Sequence, residues 1–541
     1  MLGLMQDREL LISSLLVHAE TYHPTVAVTS KSIDGTLARH TWATLGPRVR
    51  RLANALKTLG VGQGSIVATL AWNTHRHLEL YFAVSGIGAV LHTINPRLFE
   101  PQIEYIANHA QDEVLFFDAT FASLVEPLLR RLPRLRHVVA LTDRAHLPPI
   151  GGALCYEDLL DGASEAIEWP TFDERTASSL CYTSGTTGNP KGVLYTHRST
   201  LLHSMAAAMP DGLAIDANSV LVLCANLFHA NAWGLPYVAA LTGARLVLLG
   251  PHMDPATIYT MLRDERGTHG FGVPTIWSNL FAHIDNHGLD PRRDWCLRQV
   301  MIAGSAMPRA MAERFASFGV YALQAWGMTE MSPLGVVGRL LPKHGTLPPD
   351  RRLDVQAKQG RAMWGVELKL VDPAGASLPH DGRAFGRLMV RGPWIVRRYF
   401  RSDVDATDAD GWFDTGDVAT IDPDGYLQLV DRAKDVIKSG GEWISSIDIE
   451  NLVVGCPGVA AAAVIGVKHR KWEERPLLVA VKTPGATLDR RGVLEYLSGR
   501  IAKWWMPDDV VFVDALPMTA TGKVSKLDLR RQFADHLLAN T

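Results

Sequence analysis

Apolar residues recur along this chain with two periods. From Arg48 to Leu59 they fall at helical spacing, and the run closes at Gly60. Ser65 to Ala71 is then a short apolar run of strand type, followed by a helical stretch from His77 to Val90 and a strand-like Leu91 to Ile94. Glu113 to Phe117, His137 to Leu141, Ser219 to Cys224, Arg245 to Leu249 and Gln299 to Ala303 extend the series. Strands that alternate with helices predict an α/β fold with mostly parallel sheets. The style changes after about Pro373. Gly386 to Arg391 and Gly425 to Val430 alternate apolar and polar positions between turns such as Pro423-Asp424-Gly425, which predicts antiparallel β with one solvated face. A charged junction follows at Asp431-Arg432-Ala433-Lys434-Asp435. Beyond it the pattern reads β-α-β-β-α, through Asp448 to Val454, Ala461 to Ile465, Leu477 to Val481 and Arg490 to Ala502, enough for one small domain.

Length and charge narrow the class. At 541 residues the chain exceeds one core and predicts several domains or one large domain with subdomains. Lys and Arg number 54 against 56 Asp and Glu, a net charge of -2, so nothing electrostatic points to nucleic acid or an anionic membrane. Five scattered cysteines without a C-x-x-C argue against a disulfide framework or a zinc site and fit a reducing compartment. The first twenty residues hold an apolar run broken by Asp7, Arg8 and Glu9, which reads as an amphipathic helix rather than a signal peptide. No apolar run is long enough to span a bilayer, so a cytoplasmic protein without integral membrane association is expected.

Five short segments carry candidate chemistry. Tyr182-Thr-Ser-Gly-Thr-Thr-Gly-Asn-Pro-Lys-Gly192 packs three glycines, four hydroxyls and one lysine into eleven residues. Glycine lets successive peptide N–H groups turn toward one anion, and the hydroxyls of Thr183, Ser184, Thr186 and Thr187 with the charge of Lys191 complete a polyphosphate cradle. It is not a Walker A loop, because no Gly-Lys is followed by Ser or Thr. Ala303-Gly304-Ser305-Ala306 leaves space after a strand, where α/β proteins bind ligands, or is a tight strand-to-helix turn. In Ala325-Trp326-Gly327-Met328-Thr329-Glu330, Trp326 can stack on a flat ligand and Glu330 can offer a hard oxygen to Mg²⁺, although a buried Trp beside a surface Glu is the commoner arrangement. Asp417 on its turn can accept two ribose hydroxyls or simply shape the turn. Pro517-Met-Thr-Ala-Thr-Gly-Lys523 places a lysine on a Gly-containing loop, a position usually solvated.

Together and in this order, these segments resemble the signature motifs of the adenylate-forming (AMP-binding) enzymes, in the acyl-CoA synthetase branch, and the resemblance covers nearly the whole chain. It implies a large N-terminal domain of α/β subdomains plus a β-rich subdomain over residues 1–432, and a small mobile α+β C-terminal domain over 433–541. It implies ATP, CoA and Mg²⁺, a small-molecule carboxylic acid substrate and a homodimer. Thr183, Ser184, Gly185, Thr186, Thr187, Gly188 and Lys191 would hold phosphates. Gly304, Ser305, Ala306, Ala325, Trp326 and Gly327 would line the adenine and acyl sites, Thr329 would meet phosphate, and Glu330 would meet the metal. Asp417 would take the ribose with Arg432 as partner; Lys434 falls on the hinge; Gly440 and Gly441 belong to the CoA channel, with Lys438 acting near the thioester-forming step; and Lys523 is the catalytic lysine. Its ammonium would let two mutually repelling anions meet, a carboxylate and the α-phosphate of ATP.

The segment Leu227-Phe-His-Ala-Asn-Ala-Trp-Gly234 points to the acid. His229 and Trp233 fall in the family's acyl pocket, with Val273 and Met328 as further wall, and the run Val273-Pro-Thr-Ile-Trp277 is expected to line it. The combination resembles bacterial medium- and long-chain fatty acyl-CoA synthetases, and equally the methylmercaptopropionate-CoA ligases. Asn226-Leu227 departs from the Pro-Met that relatives commonly carry there. No Arg or Lys stands in these segments, which disfavours a dicarboxylate. Two rivals stay open: adenylation that delivers to a carrier protein or to oxygen, and an inactive nucleotide-binding homologue. The chain ends 18 residues after Lys523, which argues for free CoA.

Overall fold

The apolar runs become strands of two large sheets in the computed structural model, which describes residues 1, 3–183, 189–433, 435–439, 442–519 and 524–539, with the backbone alone for 442, 443 and 539. The first sheet has seven strands in the order Ala153–Cys155, His137–Ala140, Val114–Phe117, Ile66–Leu70, Val90–Thr93, Ala177–Tyr182, Gly192–Thr196. Every neighbouring pair is parallel except the last, an antiparallel pairing of Ala177–Tyr182 with Gly192–Thr196. The nine-stranded second sheet runs Arg361–Ala362, Leu334–Val337, Tyr321–Gly327, Gln299–Ile302, His269–Gly272, Val220–Leu223, Arg245–Leu248, Ala27–Lys31, Leu37–Thr41. Its interior is parallel and its edges antiparallel. Strands such as Ile66–Leu70 and Gln299–Ile302 are buried at every position, as continuous apolar runs with helices on both faces require.

Helices supply those faces. Trp42–Thr58 buries Leu45, Val49, Leu52 and Leu56, one stripe at helical spacing, and begins six residues before its expected start because Trp42 itself is core. Trp42 is fully buried and meets Phe82 edge-on, with ring centres 5.8 Å apart. The N-terminal amphipathic helix is present as Ile12–Tyr22, with Ile12, Leu15, Leu16 and Ala19 turned inward. No helix among the described residues is long and apolar enough to cross a membrane.

The antiparallel β expected after Pro373 is a four-stranded sheet that begins one strand earlier, Glu367–Val371, Phe385–Arg391, Phe413–Ile421, Leu427–Arg432. The C-terminal part pairs Glu442–Ile444, Ile437–Ser439, Glu473–Lys482 and Val459–His469, under the helices Ser446–Val453 and Arg490–Leu497. A strand that the sequence reading left out, Asp509–Phe512, adds parallel to Glu473–Lys482, and the helix Lys526–Phe533 packs nearby. Asp509–Phe512 is a short, half-buried run of one charge and three apolar residues, too brief to show a period.

Candidate active site

The phosphate-type loop springs from the one antiparallel pair of the seven-stranded sheet. At its root the N–H of Thr183 donates to the carbonyl of Lys191 at 2.9 Å, and the N–H of Lys191 donates to Thr183 Oγ1 at 3.2 Å. Ser184, Gly185, Thr186, Thr187 and Gly188, between these anchors, lie outside the described residues, as do Lys434, Gly440, Gly441 and Lys523. Lys191 is exposed, and its Nζ stands 4.7 Å from the centre of the Tyr399 ring. The Tyr399 hydroxyl donates to Glu330 Oε1 at 2.8 Å. Burial, with the Glu330 carboxylate beside it, pushes the Tyr399 phenol well above its usual range, so it remains a donor. Thus one tyrosine joins the lysine of the first motif to the glutamate of the second.

A second group forms around Asp417, on the strand Phe413–Ile421 and almost fully buried. Arg432, directly across on the neighbouring strand, contacts Asp417 Oδ1 at 2.8 Å. The Trp326 indole N–H donates to Asp417 Oδ2 at 3.2 Å. A carboxylate so held on both oxygens is fixed in direction before any ligand arrives. Trp326 is 7% exposed, so its ring edge serves the carboxylate while most of its surface is core. Gly327 follows where the strand Tyr321–Gly327 shifts register against Leu334–Val337, and a Cβ there would fall 2.0 Å from the Pro333 carbonyl oxygen. Thr329 and Glu330 sit in the short 3₁₀ turn beyond; the Thr329 carbonyl accepts from the Tyr195 hydroxyl at 2.6 Å, and the Glu330 carbonyl from the Val396 N–H at 2.7 Å.

Gly304 and Ser305 are exposed at the end of the strand Gln299–Ile302, with Ala306 half-buried, and Gly304 has φ +89°. Gln324 ties them to the neighbouring strand: its Oε1 accepts from the Met307 N–H at 2.5 Å and its Nε2 donates to the Ser305 carbonyl at 3.3 Å. Ala325, next along, is buried.

The segment Leu227 to Gly234, expected to line the acyl pocket, takes an unusual backbone. Ala230, Asn231, Ala232 and Trp233 have φ of 43°, 54°, 47° and 60°, and Gly234 follows at 78°. A left-handed conformation costs a non-glycine residue about 1–2 kcal/mol, Asn least, so this turn persists because its surroundings hold it. Asn231 is 2% exposed; its Nδ2 donates to Ser179 Oγ at 2.8 Å and its Oδ1 lies 3.5 Å from Cys181 Sγ. Asn73 anchors the approach, accepting the Leu227 N–H at 2.8 Å and donating to the Ala225 carbonyl at 2.8 Å. On the far side, a Cβ on Gly234 would lie 2.8 Å from the His203 ring. Burial lowers His203 to about 3, so the neutral ring accepts the Leu334 N–H at 3.1 Å. His229 is half-buried at the turn's entrance. Trp233, Val273 and Met328 pack into the same apolar core as Ala303 and Trp326.

Trp277 does not join them. It is fully buried in a separate core with Phe315, because its ring lies under Gly270 and Gly272 on the other face of the sheet. Of the expected wall segment, Val273 packs against the core that holds Trp233, whereas Trp277 belongs to the other core. Lys438 stands exposed on the strand Ile437–Ser439 of the C-terminal sheet, its N–H donating to Glu474 Oε2 at 3.0 Å. Tyr399, Tyr195, Gln324, His203 and Asn231 were not anticipated. Each acts through one hydroxyl, amide or ring nitrogen on a residue type that any strand or turn uses, and Tyr399 lies more than 60 residues from Glu330, so no local spacing announces the pair.

A family model described as AMP-binding enzyme matches residues 16–400, and one described as AMP-binding enzyme C-terminal domain matches 448–523. The chain is 50% identical to a 3-methylmercaptopropionyl-CoA ligase of Ruegeria lacuscaerulensis over 540 residues, covering 99% of this chain and 100% of that protein. It is 46% identical to a medium-chain-fatty-acid–CoA ligase of Ectopseudomonas oleovorans over 547 residues, covering 100% and 99%. The fold matches a crystal structure of an anthranilate CoA ligase in complex with anthranoyl-AMP, with TM-score 0.86 at 25% identity and 99% of each chain covered.

Proposed function

This chain belongs to the AMP-binding enzyme family, and we propose that it is an ATP-dependent acyl-CoA synthetase for carboxylic acids with an apolar tail, medium- or long-chain fatty acids above all. One observation carries the substrate class. Trp233 is buried in the large apolar core that also holds Trp326, Val273 and Met328 pack against that core, and the segments 227–234 and 273–277 carry no Arg or Lys, so an apolar tail is accommodated and a second carboxylate would find no partner. In the first step a carboxylate oxygen bonds to the α-phosphorus of ATP and pyrophosphate leaves. In the second the CoA sulfur bonds to the acyl carbon, AMP leaves with the bridging oxygen, and the thiol proton is released.

In this reading Asp417 accepts the ribose hydroxyls while Arg432 and Trp326 hold it still. The Thr183–Lys191 loop takes the phosphates, Gly304, Ser305 and Ala306 leave room beside the adenine, and Lys438, Gly440 and Gly441 border the CoA arm. Lys523, from the 433–541 domain, bridges carboxylate and α-phosphate, and Lys434 is the pivot between the two steps. Glu330 fits a magnesium ion: Tyr399 occupies one carboxylate oxygen, and a magnesium ion needs one or two protein carboxylates because water and phosphate fill its shell. That ion, when bound, would offset charge on the nucleotide phosphates. Among the described residues no group of three metal-ligating side chains stands together, which agrees with a metal held chiefly by its nucleotide. The reading extends to a cytoplasmic homodimer in lipid metabolism; the cysteines, all free and four of them buried, suit a reducing compartment, and light scattering tests the dimer.

The test is CoA-dependent AMP release across straight-chain, branched, aromatic, thioether and dicarboxylic acids. Apolar-tailed acids should yield acyl-CoA and dicarboxylates little. No acid-dependent pyrophosphate release, or acyl-AMP as final product with CoA present, would refute the reading. A second reading, 3-methylmercaptopropionate as the acid, rests on the 50% identity to a protein of that name; the thioether acid would then lead the panel. Lys523→Ala should slow adenylation several hundredfold, on the scale of about 3–4 kcal/mol for a lost transition-state donor.

A further inference from the structure

We infer that Asn231 is a positioning residue for acyl-tail selection, tethering the left-handed turn that carries Trp233 to the strand that feeds the phosphate loop. The inference rests on the proposed function, in which the turn lines the acyl pocket. Three observations join here. The turn holds four consecutive non-glycine residues at positive φ, a run that does not persist without tertiary support. Asn231 is the polar side chain among them, and it is buried rather than turned toward the site. Both ends of its amide are engaged by one strand, Ala177–Tyr182, through Ser179 and Cys181, two residues apart on the same face. Burial pushes the Cys181 thiol up to about 11, so at neutral pH it is protonated and can serve as the weak donor to Asn231 Oδ1.

Two residues beyond Asn231, Trp233 stands in the apolar core; one residue beyond Cys181, Tyr182 leads into Thr183. The amide therefore sets the distance between the acyl wall and the root of the phosphate loop. Backbone hydrogen bonds do not fix that distance, because the turn and the strand are not paired with each other. An acid whose carboxylate is held at the phosphate end would meet the wall at a tail length that this tether decides.

The experiment measures kcat and KM for a series of straight-chain acids from short to long, and KM for ATP, in the full-length wild type, Asn231→Ala, Asn231→Gly and Ser179→Ala. Glycine keeps the left-handed backbone accessible while removing the tether, and Ser179→Ala removes its 2.8 Å contact, leaving the longer one to Cys181, without touching the turn. We expect all three variants to raise KM for the preferred acid about tenfold, the scale of one or two lost hydrogen bonds. The ratio of kcat/KM between long and short acids should shift by a similar factor, with KM for ATP changed less than about threefold. A uniform drop across all acids in Asn231→Gly and Ser179→Ala would overturn the inference and leave Asn231 a structural residue. So would a wild-type profile in Asn231→Gly beside an altered one in Asn231→Ala, which would assign the effect to backbone strain. If Asn231→Ala fails to fold, the other two variants decide. A wild type without acid-dependent AMP release would overturn the proposed function itself, whereas an active wild type with unaltered variant profiles overturns the tether alone.

Discussion

Asp417 shows how one side chain is prepared before a ligand arrives. Both of its carboxylate oxygens have partners, Arg432 at 2.8 Å and the Trp326 indole at 3.2 Å. Asp417→Ala should therefore do more than remove the proposed ribose acceptor, because it also leaves a guanidinium without its carboxylate. We expect kcat/KM for ATP to fall roughly hundredfold, the scale of a charge-assisted hydrogen bond lost in a buried site, measured by initial rates across ATP concentrations. Tyr399 gives a narrower test. Tyr399→Phe keeps the ring under Lys191 and deletes the hydroxyl that reaches Glu330. It should lower kcat about tenfold and shift the magnesium dependence, with KM for the acid unchanged. An unchanged magnesium titration would detach Tyr399 from the metal role given to Glu330.

Among elements, the junction of Tyr321–Gly327 with Leu334–Val337 is the tightest part of the site. Gly327 lies at the register shift, against the Pro333 carbonyl, where a methyl group would overlap an atom that belongs to backbone and cannot rotate away. Gly327→Ala should cost about 1–3 kcal/mol through overpacking, visible as a lower urea midpoint. It should also cut activity further than stability, because the displaced residues are Trp326 and Met328. A variant with full activity would show that the junction yields more easily than its contacts indicate. The sequence made the small residue visible here but not its reason. In the structure a side chain there would meet the Pro333 carbonyl, which precedes the neighbouring strand.

In the whole molecule, the C-terminal part is joined to the antiparallel sheet by charge. Lys526, three residues after Lys523, lies 2.9 Å from Glu450 Oε1 and 3.9 Å from Asp431 Oδ1, and the Ser446 N–H donates to Asp431 Oδ2 at 3.0 Å. Arg530 pairs with Asp435. Asp431 and Asp435 flank the proposed pivot Lys434, so two ion contacts reach its neighbours from the helix that follows the Lys523 segment. Lys526→Met would leave Glu450 and Asp431 without their cation, at a cost of about 3–5 kcal/mol for a broken buried pair; urea unfolding followed by limited proteolysis should show residues 433–541 opening first. Lys434→Pro should slow thioester formation far more than adenylation, read by separate pyrophosphate and acyl-CoA assays. Equal losses in both steps would remove Lys434 from the pivot role.

Local chemistry made much of this protein readable from its residues. Buried parallel strands must be apolar at every position, and a cradle for an anion must combine glycines with hydroxyls and a cation. Both are properties of neighbours along the chain, so the α/β alternation, the change of style after Pro373 and the order of the motifs were legible. The helix from Trp42 and the strand Asp509–Phe512 were less so, because their limits depend on what they pack against. What joins the motifs was hidden. Tyr399 between Lys191 and Glu330, the two partners of Asp417, the amide of Asn231 beneath Trp233 and the removal of Trp277 to another core are all decided by chain segments brought together from far apart. A sequence carries the period of each element; which side chains face each other across two elements is settled when those elements pack.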